Sequence, residues 1–414
     1  MKIACRNLNL DIKAPLSKSV YHRELIVNFM LGARGDYLND SGNDNDDIRA
    51  TKSCLRALEN CDSEELILNC SESGSTLRFM IPTALAAKSS GVKKLIFKTR
   101  GRLIERPIKE LADCLAPFGV VITKNAEANE ITVTGDIRPG RYVIDGSVSS
   151  QYISGLLMAL SCFDEESVIE VTGGIASIHY IELTVGALAK YGINIVKEGD
   201  TYKVPAKTVN EVPDGNFEVE GDWSNGAFLL CLGSLIHGGS AKISGLNTES
   251  VQGDREILHF LKLAGVTFLN EGDTFFVQDS HTNTVRKILE MDCSDIPDIV
   301  PYMAVTGAFR AEKTVLTGIK RLRIKESDRA KAITEMLSAI GGKVTLEEDI
   351  ITIEYIDKIN GDIVLTSSGD HRMAMAAVLC AAATGRDIEL DDIDCLNKSF
   401  PEFRKVVEEE MILK

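Results

Sequence analysis

The chain has 414 residues, of which 44% are hydrophobic and 26% charged, and a formal net charge of −15. That length exceeds one ordinary core and sets two domains of roughly 200 residues as the expectation, and the acidity argues against nucleic acid as a partner. No apolar run approaches the roughly 20 residues of a membrane span, residues 1–13 lack the character of a signal or transit peptide, and ten cysteines are scattered without Cys-x-x-Cys or partner histidines. A cytoplasmic enzyme or binding protein is therefore expected, with no membrane partner, no structural metal and buried reduced thiols.

From the N-terminus one pattern recurs: a strand, a small polar or Gly-rich cluster, an apolar helix, a short strand, a second helix ending near glycine, and a strand pair. The cluster stands at 14–19, 71–76, 145–151, 221–226, 292–298 and 366–370. Second helices are predicted over 107–119, 181–192, 255–265 and 330–341. The starts lie roughly 55 to 75 residues apart, a period that signals stacked supersecondary units. Six βαβαββ-like copies divide into two groups of three, an α/β chain with domains 14–221 and 1–13 plus 222–414. The last copy runs out of chain, so residues 1–13 are expected to supply its missing strands, and the chain crosses twice, near Lys13 and near 220–222, as a hinge pair. If every first helix points its N-terminus inward, the backbone itself builds an anion trap.

The side chains at these positions recur in kind. Lys18, Ser19 and Arg23 surround the first helix start. Gly74 offers close approach beside hydroxyls and Arg78, and Arg102 and Arg106 precede Pro107, which suits the first helical position. Ser147, Ser149, Ser150 and Gln151 offer uncharged hydrogen-bond donors. Residues 321–329 hold four cations and two carboxylates, including Lys325, Glu326 and Arg329. They stand before Ile333, Met336, Leu337 and Ile340 at helical spacing, with Gly341-Gly342 as the stop and Ser327 as the predicted N-cap. Arg372 and Lys398 close the series. Asp298, two residues before Val300-Pro301, reads as an N-cap, and together with Glu326 as one half of a general acid/base pair. Each cluster taken alone also fits a solvated helix start; their repetition at one place in successive copies is what points to multiply negative ligands.

The segments Leu16-Ser17-Lys18-Ser19, Ser73-Gly74-Ser75-Thr76-Leu77-Arg78, Glu105-Arg106-Pro107, Ser147-Val148-Ser149-Ser150-Gln151, Lys325-Glu326-Ser327-Asp328-Arg329, Asp370-His371-Arg372-Met373-Ala374-Met375 and Lys398-Ser399-Phe400-Pro401 together resemble the EPSP synthase family, the 3-phosphoshikimate 1-carboxyvinyltransferases. The resemblance implies a two-domain inverse α/β barrel, three folding units per domain and six in all. It also implies a metal- and cofactor-free, monomeric transferase that moves the enolpyruvyl group of phosphoenolpyruvate to the 5-hydroxyl of shikimate 3-phosphate. By the same resemblance Lys18, Ser19, Arg23, Ser149, Ser150, Gln151, Ser177, Tyr180, Asp298 and Lys325 hold shikimate 3-phosphate. Lys18, Gly74, Arg106, Gln151, Arg329, Arg372 and Lys398 hold phosphoenolpyruvate, and Asp298, Glu326 and Lys18 are catalytic. Glu72 and Arg321 stand where the family commonly has Asn, and Ile178-His179 where a basic residue and Pro are frequent. UDP-N-acetylglucosamine enolpyruvyl transferase is the nearest alternative, although residues 98–106 lack its usual loop cysteine. A non-catalytic anion-binding protein is the alternative of another class.

Overall fold

In Glu65–Ser71 the side chains of Leu66, Leu68 and Cys70 are buried and those of Glu65, Ile67 and Asn69 exposed, the period-two pattern of a sheet with one covered face. This strand runs parallel to Lys94–Thr99, which pairs antiparallel with Glu130–Thr134, itself in a hairpin with Val121–Asn125. The Gly74–Ala87 helix makes the parallel crossover and Lys109–Leu115 leads into the hairpin, so the order is βαβαββ. The computed structural model describes residues 1–59, 61, 63–207, 211–279 and 285–412. Its contacts group the chain into two units, Lys18–Val219 and Met1–Ser17 with Glu220–Lys414.

Within Lys18–Val219 the pattern repeats with strands Arg141–Asp145, Ser167–Thr172, Thr201–Val204 and Val196–Glu198 around the Ser150–Leu160 and His179–Ala189 helices. Lys18–Met30 and Asp46–Glu59 are the helices of a further copy, which has no strand ladder of its own among the described residues. The first helices of the three copies, Lys18–Met30, Gly74–Ala87 and Ser150–Leu160, pack on one another in the middle.

The other unit is built alike. Val285–Asp292, Ala311–Thr317, Ile350–Glu354 and Val344–Leu346 form one four-stranded sheet. Asn9–Lys13 supplies the first strand of a second, running parallel to Ser240–Ser244. Lys2–Ile3 closes a third sheet against Ile388–Leu390, and Ile3 also bridges to Ile412. Of the strands expected to complete the last copy, Lys2–Ile3 does so, whereas Asn9–Lys13 instead opens the copy that contains Trp223–Leu235. Trp223–Leu235, Val300–Arg310 and His371–Thr384 pack together, and every residue of the three is buried. Helices inside and sheets outside invert the usual layering, and a helix buried all round needs no polar face. No helix among the described residues is long and apolar enough to cross a membrane.

The connections between units lie side by side. Leu16 bridges Gly221, Ser17 N–H donates to Glu220 O (2.7 Å), and Asp222 N–H donates to Pro15 O (2.8 Å). Several predicted helix limits shift. The helix expected to start at Pro107 begins at Lys109 with Ile108 as its cap residue, because Pro107 O is taken by Tyr152 Oη (2.7 Å) and the chain arrives extended.

One close approach is set by a missing side chain. A Cβ on Gly155 would lie 2.9 Å from the Arg78 carbonyl oxygen and 3.0 Å from Pro82 Cγ, neither of which can swing aside. On an open helix surface alanine would be favoured over glycine by about 1 kcal/mol. We expect Gly155→Ala instead to destabilise by about 1–3 kcal/mol, read as a lower urea midpoint at unchanged slope; a variant as stable as its parent would mean that these helices are free to separate.

Candidate active site

The residues singled out from sequence fall into two groups, one in each unit. In the unit containing Glu220–Lys414, Arg329 opens the Arg329–Ala339 helix and is 1% exposed. Its Nη1 donates to Asp298 Oδ1 (2.7 Å), its Nη2 to Glu326 Oε2 (2.8 Å), and its Nε to Asp370 Oδ2 (2.8 Å). One guanidinium, with its forked set of donors, therefore joins carboxylates from three chain segments. Lys325 Nζ stands 3.1 Å from the same Asp298 oxygen, and Lys398 Nζ 3.6 Å from Glu326 Oε1. Arg372, in the first turn of His371–Thr384, donates from Nη1 to Tyr302 Oη (3.1 Å). Its buried Nε finds no hydrogen-bond partner among the described residues.

Two predicted caps are corrected here. The Arg329–Ala339 helix is capped by Asp328, whose side chain accepts from Lys331 N–H, while Ser327 donates its hydroxyl to Asp370 Oδ2 (3.0 Å). Asp298 does not cap Val300–Arg310 either: Ile299 holds that position without a side-chain bond. In both cases an ionic partner distant in sequence outweighs the local amide. Pro301 does sit in the first turn, and Gly341-Gly342 ends the Arg329–Ala339 helix, with Gly342 N–H on Leu337 O at 2.8 Å.

The charges in this cluster set one another. Burial alone would lift Asp298, but Lys325, Arg329 and Arg372 outweigh it and hold the carboxyl well below the usual range. Burial pushes the Lys325 ammonium down to about 8, against the pull of Asp298. Arg329 remains a cation although burial opposes it, because Asp370, Glu326 and Asp298 surround it.

In Lys18–Val219 the group is less charged. Lys18 opens the Lys18–Met30 helix and bonds Asp47 Oδ2 (2.8 Å). Arg23 is 2% exposed and is held by neutral oxygens: Thr184 Oγ1 (2.7 Å), Ser19 O (2.6 Å), Tyr180 O (2.6 Å) and Ser154 Oγ (3.3 Å). Burial lowers its guanidinium to about 9. Ser149 caps Ser150–Leu160, accepting from Gln151 N–H (3.3 Å). The Gln151 side-chain amide accepts from Arg78 Nη1 (2.7 Å) and donates to Ser75 Oγ (2.8 Å). Gly74 opens Gly74–Ala87, and a Cβ there would lie 2.5 Å from Arg106 Nη1, so glycine is what lets that guanidinium rest on the helix start. Ser177 holds φ 54, a left-handed conformation that costs a non-glycine residue about 1 kcal/mol or more and persists only where its surroundings impose it.

Sequence reasoning missed Asp47 and Tyr302, which bond Lys18 and Arg372. Asp47 follows Asp44, Asn45 and Asp46 and reads there as surface charge, although it is buried. Tyr302 lies in a continuous apolar helix. Glu72 packs its carboxylate over Gly101, where a Cβ would meet Oε1 at 2.6 Å, Arg321 Nη1 donates to Ser294 O (3.2 Å), and Ile178 occupies the cap position of His179–Ala189.

The family model of EPSP synthase (3-phosphoshikimate 1-carboxyvinyltransferase) matches residues 5–407. The chain is 32% identical to the 3-phosphoshikimate 1-carboxyvinyltransferase of Clostridioides difficile (strain 630), covering 98% of this chain and 96% of that one. It is 31% identical to the enzyme of the same name from Methanospirillum hungatei, over 96% and 95%. In fold it is similar to an EPSP synthase from Acinetobacter baumannii (TM-score 0.73, 21% identity, 100% of both chains). The enolpyruvyl transferase NikO from Streptomyces tendae shares the fold at 12% identity (TM-score 0.71, covering 100% and 98%). With the sequence motifs in order and a family match spanning both units, the chain belongs to the EPSP synthase (3-phosphoshikimate 1-carboxyvinyltransferase) family.

Proposed function

We propose that the protein transfers the enolpyruvyl group of phosphoenolpyruvate to the 5-hydroxyl of shikimate 3-phosphate and releases phosphate. The observation that carries this reading is the cluster around Arg329, where Lys325, Arg329, Arg372 and Lys398 surround Asp298 and Glu326 in one unit. The chemistry needs a proton donor, a proton acceptor and dense positive charge in one place.

In this reading Ser149, Ser150 and Ser177 bind the shikimate phosphate through hydrogen bonds, and Ser19 and Arg23 bind its carboxylate. Gln151 and Tyr180 face the ring. Arg23 supports the assignment: it is a buried cation among neutral oxygens, and a bound carboxylate would supply the missing countercharge. Lys18, Gly74, Arg106, Gln151, Arg329, Arg372 and Lys398 receive phosphoenolpyruvate, while Asp298 and Lys325 meet the accepting hydroxyl.

A proton passes to the methylene carbon of phosphoenolpyruvate, the double-bond electrons form the new C–H bond, and positive charge develops on the adjacent carbon. The 5-hydroxyl oxygen attacks that carbon as its own proton leaves. In the second half the carbon–oxygen bond to phosphate breaks, the methyl group returns a proton, and the enol ether forms. Glu326 is assigned as the donor and Asp298 as the group that accepts from the hydroxyl. Arg329 and Lys398 beside Glu326 favour its carboxylate, so Glu326 takes up its proton in the complex, when substrate anions occupy those cations. Asp298, held ionised, is ready to accept at neutral pH. Lys18 and the arginines stabilise the departing phosphate.

Incubation with phosphoenolpyruvate and shikimate 3-phosphate is expected to release phosphate; silence with that pair but release with UDP-N-acetylglucosamine would overturn the assignment. Glu326→Gln should lose at least about 100-fold in kcat while shikimate 3-phosphate binding, measured by calorimetry, changes little; near-normal turnover would remove Glu326 from the mechanism. Lys325 is charged below about 8 and neutral above it. Activity should therefore fall as pH rises through that value, and Lys325→Arg, which stays charged, should move the alkaline limb upward; an unmoved limb would assign it to another group.

A further inference from the structure

Lys124 stands near the end of Val121–Asn125, an edge strand of the four-stranded sheet that also contains Glu65–Ser71. Its ammonium serves one loop: Nζ donates to the backbone carbonyls Ile104 O (2.9 Å) and Arg106 O (2.7 Å). An ammonium carries three donors and no acceptor, so one lysine can hold two carbonyls that face the same point. Other lysines of this sheet behave differently, since Lys94 and Lys98 pair with the carboxylates of Glu65 and Glu130 on neighbouring strands. The next carbonyl along the loop, Pro107 O, accepts from Tyr152 Oη (2.7 Å) and Arg78 Nη2 (3.3 Å), and Leu103 O accepts from Arg106 N–H (3.2 Å). The backbone on both sides of Arg106 is therefore held, and Arg106 itself is extended (φ −62°, ψ 148°), as a residue before proline tends to be.

We infer that Lys124 is a positioning residue for phosphoenolpyruvate binding, acting through the backbone of Arg106. This rests on the reading of Arg106 as a phosphoenolpyruvate ligand. The sheet supplies a common frame. Glu65–Ser71 leads through the cap residue Ser73 into the Gly74–Ala87 helix, and a Cβ on Gly74 would lie 2.5 Å from Arg106 Nη1. Lys124, opposite Ile131 in the hairpin, belongs to the other edge of that sheet. One edge thus sets the helix start, and the other sets the loop whose guanidinium rests on it. Without the ammonium, the carbonyls of Ile104 and Arg106 lose this donor and the loop is held from Leu103 and Pro107 alone. Arg106 then has to be ordered when the anion arrives, and that ordering is taken from the binding free energy. The proposed shikimate 3-phosphate ligands Arg23, Ser149, Ser150 and Ser177 stand on other segments, so the loss falls on one substrate.

The test is a double-mutant cycle on the full chain, Lys124→Met with and without Arg106→Ala, reading phosphate release. Lys124→Met should lower kcat/KM for phosphoenolpyruvate about tenfold, through KM, and leave kcat and KM for shikimate 3-phosphate nearly unchanged. In the Arg106→Ala background the same substitution should cost nothing further, whereas an effect of the Lys124 charge on the anion through space would persist there. Lys124→Arg, which also presents several donors, should restore most of the loss. The Ile104 carbonyl-carbon resonance, read through Glu105 N–H, should move upfield in Lys124→Met as its hydrogen bond is lost. If Lys124→Met does not fold, Lys124→Thr, which suits an edge strand, makes the same comparison. Equal rises in the two KM values, as from a unit merely loosened, an undiminished loss in Arg106→Ala, or an unmoved Ile104 resonance overturns the inference. A wild type that releases no phosphate overturns the proposed function, while the Ile104 resonance still decides whether Lys124 holds the loop.

Discussion

The half-site in the unit containing Glu220–Lys414 depends on the placement of one guanidinium. Arg329 reaches Asp298 before one inner helix, Asp370 before another, and Glu326 on its own approach segment. Three loops that share no sequence neighbourhood are thereby fixed relative to one charge. Removing one partner of such a buried set leaves the others uncompensated, at a cost of about 3–5 kcal/mol, so the loops cannot relax independently. A lysine, with a point charge and a flexible stem, could not meet the three acceptors in one plane. Under the proposed function the reaction uses this rigidity, because a donor and an acceptor held in place can face the same substrate carbon and oxygen at short range.

Under the proposed function the two units receive anions differently. Around Asp298 and Glu326, the cations Lys325, Arg329 and Lys398 each meet a carboxylate, whereas Arg372 bonds the Tyr302 hydroxyl, so an anion arriving at the first three exchanges with ionic partners already in place. In Lys18–Val219, Arg23 faces neutral oxygens and the hydroxyls of Ser149, Ser150 and Ser177 carry no charge. An anion there supplies countercharge to a buried cation and displaces none. The second arrangement favours tight binding of an unreactive group, and the first favours proton movement, since small changes in charge tip a crowded set. A net charge of −15 makes both local: the average field repels anions, and only clustered cations draw them.

The repeat was legible because each copy must turn from a strand into a helix through small or polar residues, and those turns stand in order along the chain. Helix limits were less legible for a physical reason. Trp223–Leu235, Val300–Arg310 and His371–Thr384 are buried on every side, so no amphipathic stripe marks their ends. The caps at Ser327 and Asp298 were misjudged because local capping rules see only neighbouring amides, whereas Ser327 meets Asp370 and Asp298 meets Arg329. Most of the candidate residues were picked out by a charge beside a helix start. Asp47 was not, because beside Asp44, Asn45 and Asp46 it reads as surface charge although it is buried.

The turn that carries Asp254 also holds the chain connections. Gln252 Oε1 accepts from Ser17 Oγ (2.9 Å) and Trp223 N–H (3.1 Å), while its Nε2 donates to Glu220 Oε1 (2.9 Å) and Gly221 O (2.8 Å). Glu220 in turn accepts from Ser250 Oγ (2.7 Å). A buried amide satisfied on both sides is costly to displace, so the segments leading to Lys18 and away from Val219 leave this unit from a fixed place. Lys18 follows Ser17 directly, and the proposed ligand is one peptide bond from that lock. Two residues along the same turn, Asp254 hydrogen-bonds Ser224 Oγ, in the first turn of Trp223–Leu235. One short segment therefore holds both the first turn of Trp223–Leu235 and the chain connections.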